Sequence, residues 1–325
     1  MKTSRRTVLT AAAGVLGNRG AAAQADFPNR ALRLIVAFPP GSINDVSARL
    51  IAPEMGRQLG QSVVVENRSG AGGLVGTEAV VRAPPDGHTI GIGTMSQLVM
   101  NLALYRTIAF DLELGVAPIG MISETPSVLV VHPSVPVTTL AELLAYARAN
   151  PGKLNYASAG NGSINHVGTE HFMALAGIQM THIPYRGAGP AQNDLVAGKV
   201  DLAFDSGPAC VAHVQAGRLR ALAVSFRRRS RQLPEVPLFA EAGMPNYANN
   251  SWNLLMAPSG TPSPVMVRLN AALNATLMDP ETRARFEAGG TEVAVDTTPE
   301  AAARFVAAQR ATWVPVARGL GLVLN

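Results

Sequence analysis

Two stretches of small polar residues follow apolar strands and open helices, an arrangement that binds anions. The first is LIVAFPPGSINDVSARL, from Leu34 to Leu50, and the second is LNYASAGNGSINHVGTEHF, from Leu154 to Phe172. The first turn of a helix has N–H groups without acceptors and a partial positive charge, and glycine lets a ligand approach the backbone. We therefore expect two loops, on two lobes that face each other across a cleft, with a small anion between them.

Side chains at these loops add hydrogen-bond donors, so no Arg or Lys is needed to hold a carboxylate. Asp45 is expected to cap or brace the first loop. Two roles fit Asp205 at the end of its strand: bracing its own loop, or accepting a hydrogen bond from a ligand hydroxyl or ammonium. The predicted ligand-binding residues, which include a third polar loop after a buried strand, are Phe38, Gly41, Ser42, Ile43, Asn44, Thr94, Ser96, Ser158, Gly160, Asn161, Gly162, Ser163, His166 and Asp205.

The glycine-rich segment from Gly70 to Gly76 raises the possibility of a dinucleotide site. The G-x-G-x-x-G spacing counted from Gly70 requires glycine at position 75, where Val75 stands, and no acidic residue closes a following strand at the ribose-binding distance. We therefore interpret the segment as a tight turn with close helix packing, and we expect no cofactor.

A metal site and a catalytic site are the other chemical alternatives. His166 and Glu170 lie one helical turn apart, but no third ligand has metal spacing, so a structural or pocket-lining His166 is favoured. Ser158 and Ser163 do not stand in a G-x-S-x-G motif. A hydrolase or isomerase that uses Ser158, His166 and Asp205 remains an alternative, since a triad is assembled in space rather than in sequence.

Strand-like runs alternate with helical patterns over most of the chain, which predicts a parallel α/β architecture. Strands are expected at residues 32–38, 63–65, 89–93, 128–131, 181–184, 200–204, 219–224 and 252–257. Helices are expected at 43–59, near 74–82, 140–149, 190–197, 209–216, 264–277 and 280–287, and over 299–320. The chain is expected to cross between the lobes near Ser127 and near Ser251. This gives a two-strand hinge, with residues 26–126 and 252–325 in lobe 1 and 127–251 in lobe 2.

The composition limits which cellular compartment and which kinds of binding partner the protein is expected to have. The first 25 residues combine a basic start, an apolar run and Ala23-Gln24-Ala25, which indicates an export signal that is removed near Ala25. Arg5-Arg6 leaves Sec and twin-arginine export both open. Without the four basic residues of this segment, 23 basic residues stand against 22 acidic ones, a net charge of +1, so nucleic-acid binding is not indicated. The single Cys210 excludes an internal disulfide.

The densest charge run is Arg227-Arg228-Arg229 with Arg231. It follows a strand and precedes Pro234, so a solvated loop is the simpler interpretation. Docking onto an acidic patch of a membrane partner is the alternative. No uninterrupted apolar run after residue 25 reaches the roughly 18 residues of a membrane span, so stable membrane insertion is not expected.

The mature sequence resembles the tripartite tricarboxylate transporter substrate-binding proteins, the Bug receptors of the periplasm. The resemblance rests on ordered segments along nearly the whole mature chain: FPNRALRLIVAFPPGSIND, VVVENRSGAGGLVGTEAV, PPDGHTIGIGT, LNYASAGNGSINHVGTEHF, HIPYRGAGPAQNDLVAGKVDLAFD, GRLRALAV, LPEVPLFAEAGMP and APSGTP. It implies a two-lobe, type II-like periplasmic binding protein that closes like a flytrap on a small organic acid. It also implies that the loops at 40–45 and 158–163 hold the ligand carboxylate, often through ordered waters.

Three residues depart from the family pattern. Ser42 stands where the family has a second glycine after PPG, His88 stands where tyrosine is common, and Ser206 stands where asparagine is frequent. Ser42 is expected to narrow the first loop or add a donor, His88 is expected to change only packing, and Ser206, next to Asp205, is expected to alter the far end of the pocket and hence specificity.

Together these features predict an exported, monomeric solute-binding receptor without catalytic activity. The expected partners are a small carboxylate and a two-component integral membrane transporter. The sequence equally permits a sensor that presents its liganded form to a signalling protein.

Overall fold

Two mixed β-sheets with flanking helices form the molecule. A computed structural model describes residues 27–324, so the export signal predicted at residues 1–25 lies outside the described residues. The first sheet has the strand order β11-β4-β10-β3-β1-β2. Its strands are β1 Leu32–Val36, β2 Val63–Asn67, β3 Thr89–Thr94, β4 Val116–Thr125, β10 Ser251–Pro258 and β11 Glu292–Val293.

The second sheet has the order β7-β6-β8-β5-β9. Its strands are β5 Ser127–Val131, β6 Asn155–Ser158, β7 Thr181–Pro184, β8 Leu202–Ser206 and β9 Arg220–Ser225. The helices in chain order are α1 Ile43–Leu59, α2 Leu74–Val81, α3 Asn101–Leu104, α4 Leu140–Ala149, α5 Ile164–Ala176, α6 Ala188–Val196, α7 Gly207–Gln215, α8 Ser263–Met278, α9 Pro280–Ala288 and α10 Pro299–Gly319. A 3₁₀ turn, Ala71–Gly73, precedes α2, and a π turn, Ser96–Met100, precedes α3.

The expected α/β class is confirmed, and both sheets contain antiparallel as well as parallel pairs. Strands β1, β2 and β3 pair in parallel, as do β6, β7 and β8. Strand β10 runs antiparallel to β3 and β4, and β5 runs antiparallel to β8 and β9. The ten-residue β4 was not predicted. It pairs with β10, where Leu254 and Leu255 lie opposite Met121 and Gly120 of β4.

Each sheet has its own apolar core. Leu34, Ile51 and Leu269 are fully buried in the core of the first sheet, where α1 and α8 pack on it. Phe172, Phe204 and other aromatic rings fill the core of the second sheet, with ring centroids 5.4 Å apart for this pair. None of the helices in the part of the chain that the structure describes combines the length and the apolar character that a bilayer crossing requires.

The chain passes between the sheets twice. Strand β4 of the first sheet ends at Thr125 and β5 of the second sheet begins at Ser127. The return runs from β9, which ends at Ser225, to β10, which begins at Ser251. The assignment of residues to two lobes stays a prediction.

The arginine run contacts the first sheet close to these crossings. Arg227 Nη1 lies 2.9 Å from Glu124 Oε1, and Arg228 Nε lies 2.8 Å from Glu292 Oε1. Arg229 pairs within its own region with Glu241 at 2.9 Å. The run follows β9 of the second sheet, whereas Glu124 and Glu292 belong to β4 and β11. The exposed arginines therefore join the two sheets, a role that the sequence did not indicate.

Candidate ligand-binding site between two helix N-termini

The first predicted loop connects β1 to α1 and is held by a helix cap. Ser42 occupies the N-cap with extended backbone, φ −66° and ψ 157°, and its Oγ accepts a hydrogen bond from Asp45 N at 3.3 Å. Gly41 precedes it with a φ of +79°, a conformation that glycine adopts without strain. The Gly41 N–H donates to Asp45 Oδ2 at 2.9 Å. Asp45, the third residue of α1, is thus capped by Ser42 through its backbone N–H, and its carboxylate in turn braces the loop at Gly41.

The second loop, between β6 and α5, repeats this geometry. Ser163 is the N-cap with φ −64° and ψ 157°, and its Oγ accepts from His166 N at 3.3 Å. Gly162 has a φ of +74°, and its N–H donates to His166 Nδ1 at 3.1 Å. The four residues Gly-Ser-Ile-Asn are identical in the two loops, and His166 occupies the bracing position that Asp45 occupies in the first.

Each loop leaves two backbone donors for a ligand. Within residues 27–324, no acceptor is found for the N–H groups of Ile43 and Asn44 or for those of Ile164 and Asn165. These are the first two N–H groups of α1 and α5, where the helix dipole adds partial positive charge. Four such donors, shared between two helices, can hold the oxygens of a carboxylate without a cationic side chain.

The two loops line one cavity of about 870 Å³, a volume typical of small-molecule sites. Eleven of the fourteen predicted site residues lie on its wall. They are Phe38, Gly41, Ser42, Ile43, Asn44, Thr94, Ser96, Asn161, Gly162, Ser163 and Asp205. The other three, Ser158, Gly160 and His166, do not belong to the lining and lie behind the second loop, where their hydrogen bonds support it.

The first loop is braced from below by two polar side chains, the buried Asp45 and the half-buried Asn67. Asn67, at the end of β2, donates to Phe38 O at 3.0 Å and to Asp45 Oδ1 at 2.8 Å. Burial by itself would raise the pKa of Asp45, but hydrogen bonds from Arg49, Gly41 and Asn67 outweigh it and leave the pKa below its ordinary value. The expected bracing role of Asp45 therefore has a concrete geometry, with a charged carboxylate under the loop at neutral pH.

The second loop is braced by neutral imidazoles. Ser158 Oγ lies 2.6 Å from His182 Nε2, and the His182 and His166 rings stack with centroids 4.0 Å apart. Burial and the neighbouring His166 lower the pKa of His182 to about 4, and burial lowers that of His166 as well. Because His166 Nδ1 accepts the Gly162 N–H, its ring proton resides on Nε2. The site therefore has a carboxylate brace on one side and an uncharged histidine brace on the other.

The residues of the catalytic alternative do not come together. The imidazole partner of Ser158 is His182 rather than His166, and Ser158 is 1% exposed. Asp205 bonds to Gln192 and to the Ser206 backbone, not to a histidine. In the described residues, no group of three His, Cys, Asp or Glu side chains is placed to hold a metal ion. His166 Nε2 and Glu170 Oε1, the residues of the metal alternative, are 4.0 Å apart.

Asp205 is a buried carboxylate on the cavity wall. It is 7% exposed, and it accepts hydrogen bonds from Ser206 N at 2.8 Å and from Gln192 Nε2 at 3.0 Å. Burial raises its pKa to about 6, although these two hydrogen bonds act in the opposite direction. The carboxyl group is therefore poised to change protonation close to neutral pH.

Several lining residues were not predicted. Asn165 was detectable, because it occupies the same place in the second Gly-Ser-Ile-Asn as Asn44 does in the first. Arg186 lies just before α6, Gln192 lies within α6, and Asn249 precedes β10 on the return crossing. Their positions depend on how the two sheets meet, for which the sequence has no local signal.

The glycine-rich segment forms the tight turn that was expected from its spacing. A Cβ atom at Gly76 would come within 2.5 Å of Ala37 Cβ, which shows how closely α2 approaches β1. Gly72 reaches the cavity wall. The segment thus contributes close packing beside the first loop.

Comparisons with known proteins agree with this geometry. A sequence profile described as "Tripartite tricarboxylate transporter family receptor" matches residues 47–322. Protein BugT of Bordetella pertussis is 36% identical over 300 residues, which cover 92% of this chain and 92% of that protein. The structure of R. palustris Rpa4515 with adipate superposes with a TM-score of 0.84 at 37% identity, covering 92% of this chain and all of that one. MatC of Rhodopseudomonas palustris with bound malate has a TM-score of 0.81 at 32% identity, covering 90% and 100%.

Proposed function

This chain belongs to the tripartite tricarboxylate transporter receptor family, a family of solute-binding receptors and not of enzymes, and from this premise we propose that it captures a small organic carboxylate in the cavity between its two sheets. The proposal is carried by one observation: two Gly-Ser-Ile-Asn loops of equal geometry present four free N–H donors to a common cavity. Backbone donors at helix N-termini favour an anion.

The relatives support an acid as the ligand class. Rpa4515 was solved with adipate and MatC with malate, both of which are dicarboxylic acids. An acid of four to six carbons fits readily in a cavity of about 870 Å³. The loops at Ser42 and Ser163 would bind one carboxylate, and the remainder of the molecule would extend along the cavity wall.

Closure of two lobes on the acid is the second part of the proposal. Residues 26–126 with 252–325 form lobe 1, residues 127–251 form lobe 2, and the crossings at Pro126 and before Ser251 act as the hinge. Each lobe supplies one of the two loops, so the acid contacts all four donors only when the lobes are together. A ligand with greater affinity for the closed form shifts the population toward it.

The cell-level role follows from the family. The protein is proposed to act in the periplasm after removal of the signal segment near Ala25, as a monomer, and to deliver its acid to a two-component integral membrane transporter. The unliganded and liganded forms differ in the surface they present, and this difference would tell the transporter which form carries substrate.

The experiment is a binding screen on the mature protein. Native mass spectrometry of protein purified from the periplasm identifies a retained acid, and a thermal-shift panel of mono-, di- and tricarboxylates finds which acids stabilise the fold. Each positive acid is paired with its neutral amide as a control. We expect the acid to bind and the amide not to. Equal stabilisation by acid and amide, or no binding by any acid, would show that the loops are not a carboxylate site.

A further inference from the structure

Asp205 carries a negative charge into the wall of a cavity that otherwise favours anions. It ends β8 and is nearly buried, and its two hydrogen bonds come from Ser206 N and Gln192 Nε2. Among residues 27–324, no cationic side chain contributes to its ionisation. Burial of an ionised carboxylate without a cation is costly. A ligand that supplies the missing hydrogen-bond donor or positive charge would account for such a buried carboxylate on the wall of a ligand cavity.

The elements around Asp205 leave it free to bind a ligand. On α6, Gln192 is held in place because its Nε2 also donates to Ala209 O at 2.6 Å. On α7, burial and the charge of Asp205 raise the pKa of the Cys210 thiol, which therefore stays neutral. Strand β5 places Val128 opposite Asp205. A carboxylate has about four acceptor sites, and its protein neighbours use two, so capacity remains on the cavity side.

A second buried polar side chain, that of Asn249, lies beside the cavity. Asn249 is 2% exposed, lines the cavity, and has a side-chain Oδ1 without a hydrogen-bond partner in the described residues. Its backbone N–H donates to Ser225 Oγ, which fixes the residue next to β9. The cavity therefore combines donors at the two helix N-termini with an acceptor at Asp205.

We propose that Asp205 is a specificity-determining residue that selects carboxylic acids bearing an N–H or O–H donor, an ammonium group above all. This inference rests on the proposed function, since it assumes that the two loops hold a ligand carboxylate. The donor of the same ligand then bonds to Asp205. An acid with only methylene groups at that point leaves Asp205 unpaired, and a second carboxylate placed there is repelled.

Three four-carbon acids test the inference, because succinate, malate and aspartate share their skeleton and both carboxylates. They differ at one carbon, which carries hydrogen, hydroxyl or ammonium. Isothermal titration at pH 7.5 compares the mature protein with Asp205→Asn and with Asp194→Asn. The second variant removes a carboxylate of α6 that pairs with Lys199 outside the cavity lining. Adipate and 2-aminoadipate repeat the comparison for longer ligands.

We expect the protein without substitutions to bind aspartate about tenfold or more tightly than succinate. This is the ratio typical of a charge-assisted hydrogen bond. Asp205→Asn should bring that ratio close to one, and Asp194→Asn should retain it. Tightest binding of malate instead would identify a hydroxyl as the donor and would still support the inference.

A pH series on the unsubstituted protein is a second measurement that needs no folded variant. Near pH 6 Asp205 loses its proton, so the affinity ratio of aspartate to succinate should rise between pH 5 and pH 7.5. The ratio is calculated for the fully ionised acids, because the second carboxyl group of succinate also titrates in this range. A residue that only braces the loop would leave this corrected ratio constant.

Equal binding of the three acids, or an equal loss for all of them in Asp205→Asn, would overturn the inference and leave carboxylate capture intact. No binding by any acid would refute the proposed function, and the role of Asp205 with it.

Discussion

Replacement of Ile43 by proline removes one backbone donor from the first loop and leaves the helix in place. Ile43 is the first residue of α1, the position where proline is tolerated because its N–H has no intrahelical acceptor. The preceding Ser42 has a ψ of 157°, within the range that a residue before proline adopts. The Ser42 cap bonds to Asp45 N, so the substitution does not touch it.

The expected loss follows from the number and kind of bonds removed. The Ile43 N–H has no acceptor among the described residues, so its bond to a ligand carboxylate would be charge-assisted. Hydrogen bonds to charged groups contribute about 1.5–3 kcal/mol, which corresponds to a Kd about 10- to 150-fold weaker. Ile164→Pro is the matched change in the second loop, where Ser163 also has a ψ of 157°. Because both loops are proposed to bind the same ligand carboxylate, the two losses should not simply add when both substitutions are combined.

Isothermal titration with the tightest-binding of succinate, malate, aspartate and adipate measures the effect. Ile43→Ala and Ile164→Ala are the controls, since each removes most of the side chain and keeps the N–H. Urea unfolding of all four variants checks that the proline variants remain folded. If Ile43→Pro binds the acid as tightly as Ile43→Ala while both are folded, the backbone N–H groups do not hold the carboxylate and the reasoning is refuted.

Three further predictions concern the supports of the site. Asp45→Asn puts an amide in place of a carboxylate with three donors around it, so one donor, such as the Asn67 amide, loses its acceptor; the free energy of unfolding should fall by about 1–3 kcal/mol in urea titrations, and acid binding should weaken. The lowered pKa of His182 means that the unfolded chain takes up its proton first, so the stability that His182 contributes should be lost as pH falls from about 6.5 to about 4; urea unfolding at a series of pH values measures it. Gly168→Ala places a Cβ atom 2.0 Å from Asn249 Nδ2, so Asn249 must move and the protein should be destabilised by about 1–3 kcal/mol, as thermal unfolding can show.

Each of these predictions has a control in the same chain. Arg49→Gln removes an exposed partner of Asp45 and should cost less than about 1 kcal/mol; an equal loss in both variants would mean that the carboxylate does not brace the loop. The pH effect is read as the difference between the protein and His182→Gln, because Asp205 titrates in the opposite direction, and a constant difference would contradict it. Gly319→Ala meets no atom within 4 Å and should be neutral, so similar losses at both glycines would rule out the clash.

Most helices and strands could be predicted from the sequence, because the residues that begin and end them lie close to them in the chain. The helix Leu140–Ala149 and the strand Thr181–Pro184 have the predicted bounds, since a Thr139 cap and prolines mark their ends. The strand Val116–Thr125 was missed because it contains Pro118 and Gly120 and lacks alternation. Its regularity comes from β10, which lies more than a hundred residues away along the chain. Strand direction could not be predicted for the same reason, as it depends on which distant strands pair.

The same distinction, between features set by neighbouring residues and features set by distant packing, applies to the site. The succession of an apolar strand, small polar residues and a helix start predicted both loops, since a cap and its helix are neighbours in sequence. His166 was predicted to touch the ligand, but its place in the loop is that of Asp45, a brace, and this equivalence becomes visible only from the Gly162 and Gly41 hydrogen bonds. Asn249 lines the cavity from the return crossing just before β10, and this placement depends on long-range packing that no local sequence pattern encodes.

The division of the four donors between two loops bears on how closure would work. An acid bound to one loop has two of the donors, and closure adds the two of the other loop, worth about 3–6 kcal/mol if each is charge-assisted. A shift from 1:99 to 99:1 requires about 5.5 kcal/mol, which lies near the top of this range, so at its lower end the second loop can drive closure only if the ligand-free lobes are nearly balanced. The ion pairs of Arg227 and Arg228 that join the sheets are compatible with such a balance, because both arginines are more than half exposed and such pairs contribute little. Stronger contacts between the sheets would hold the protein in one form, and the acid could no longer change its shape.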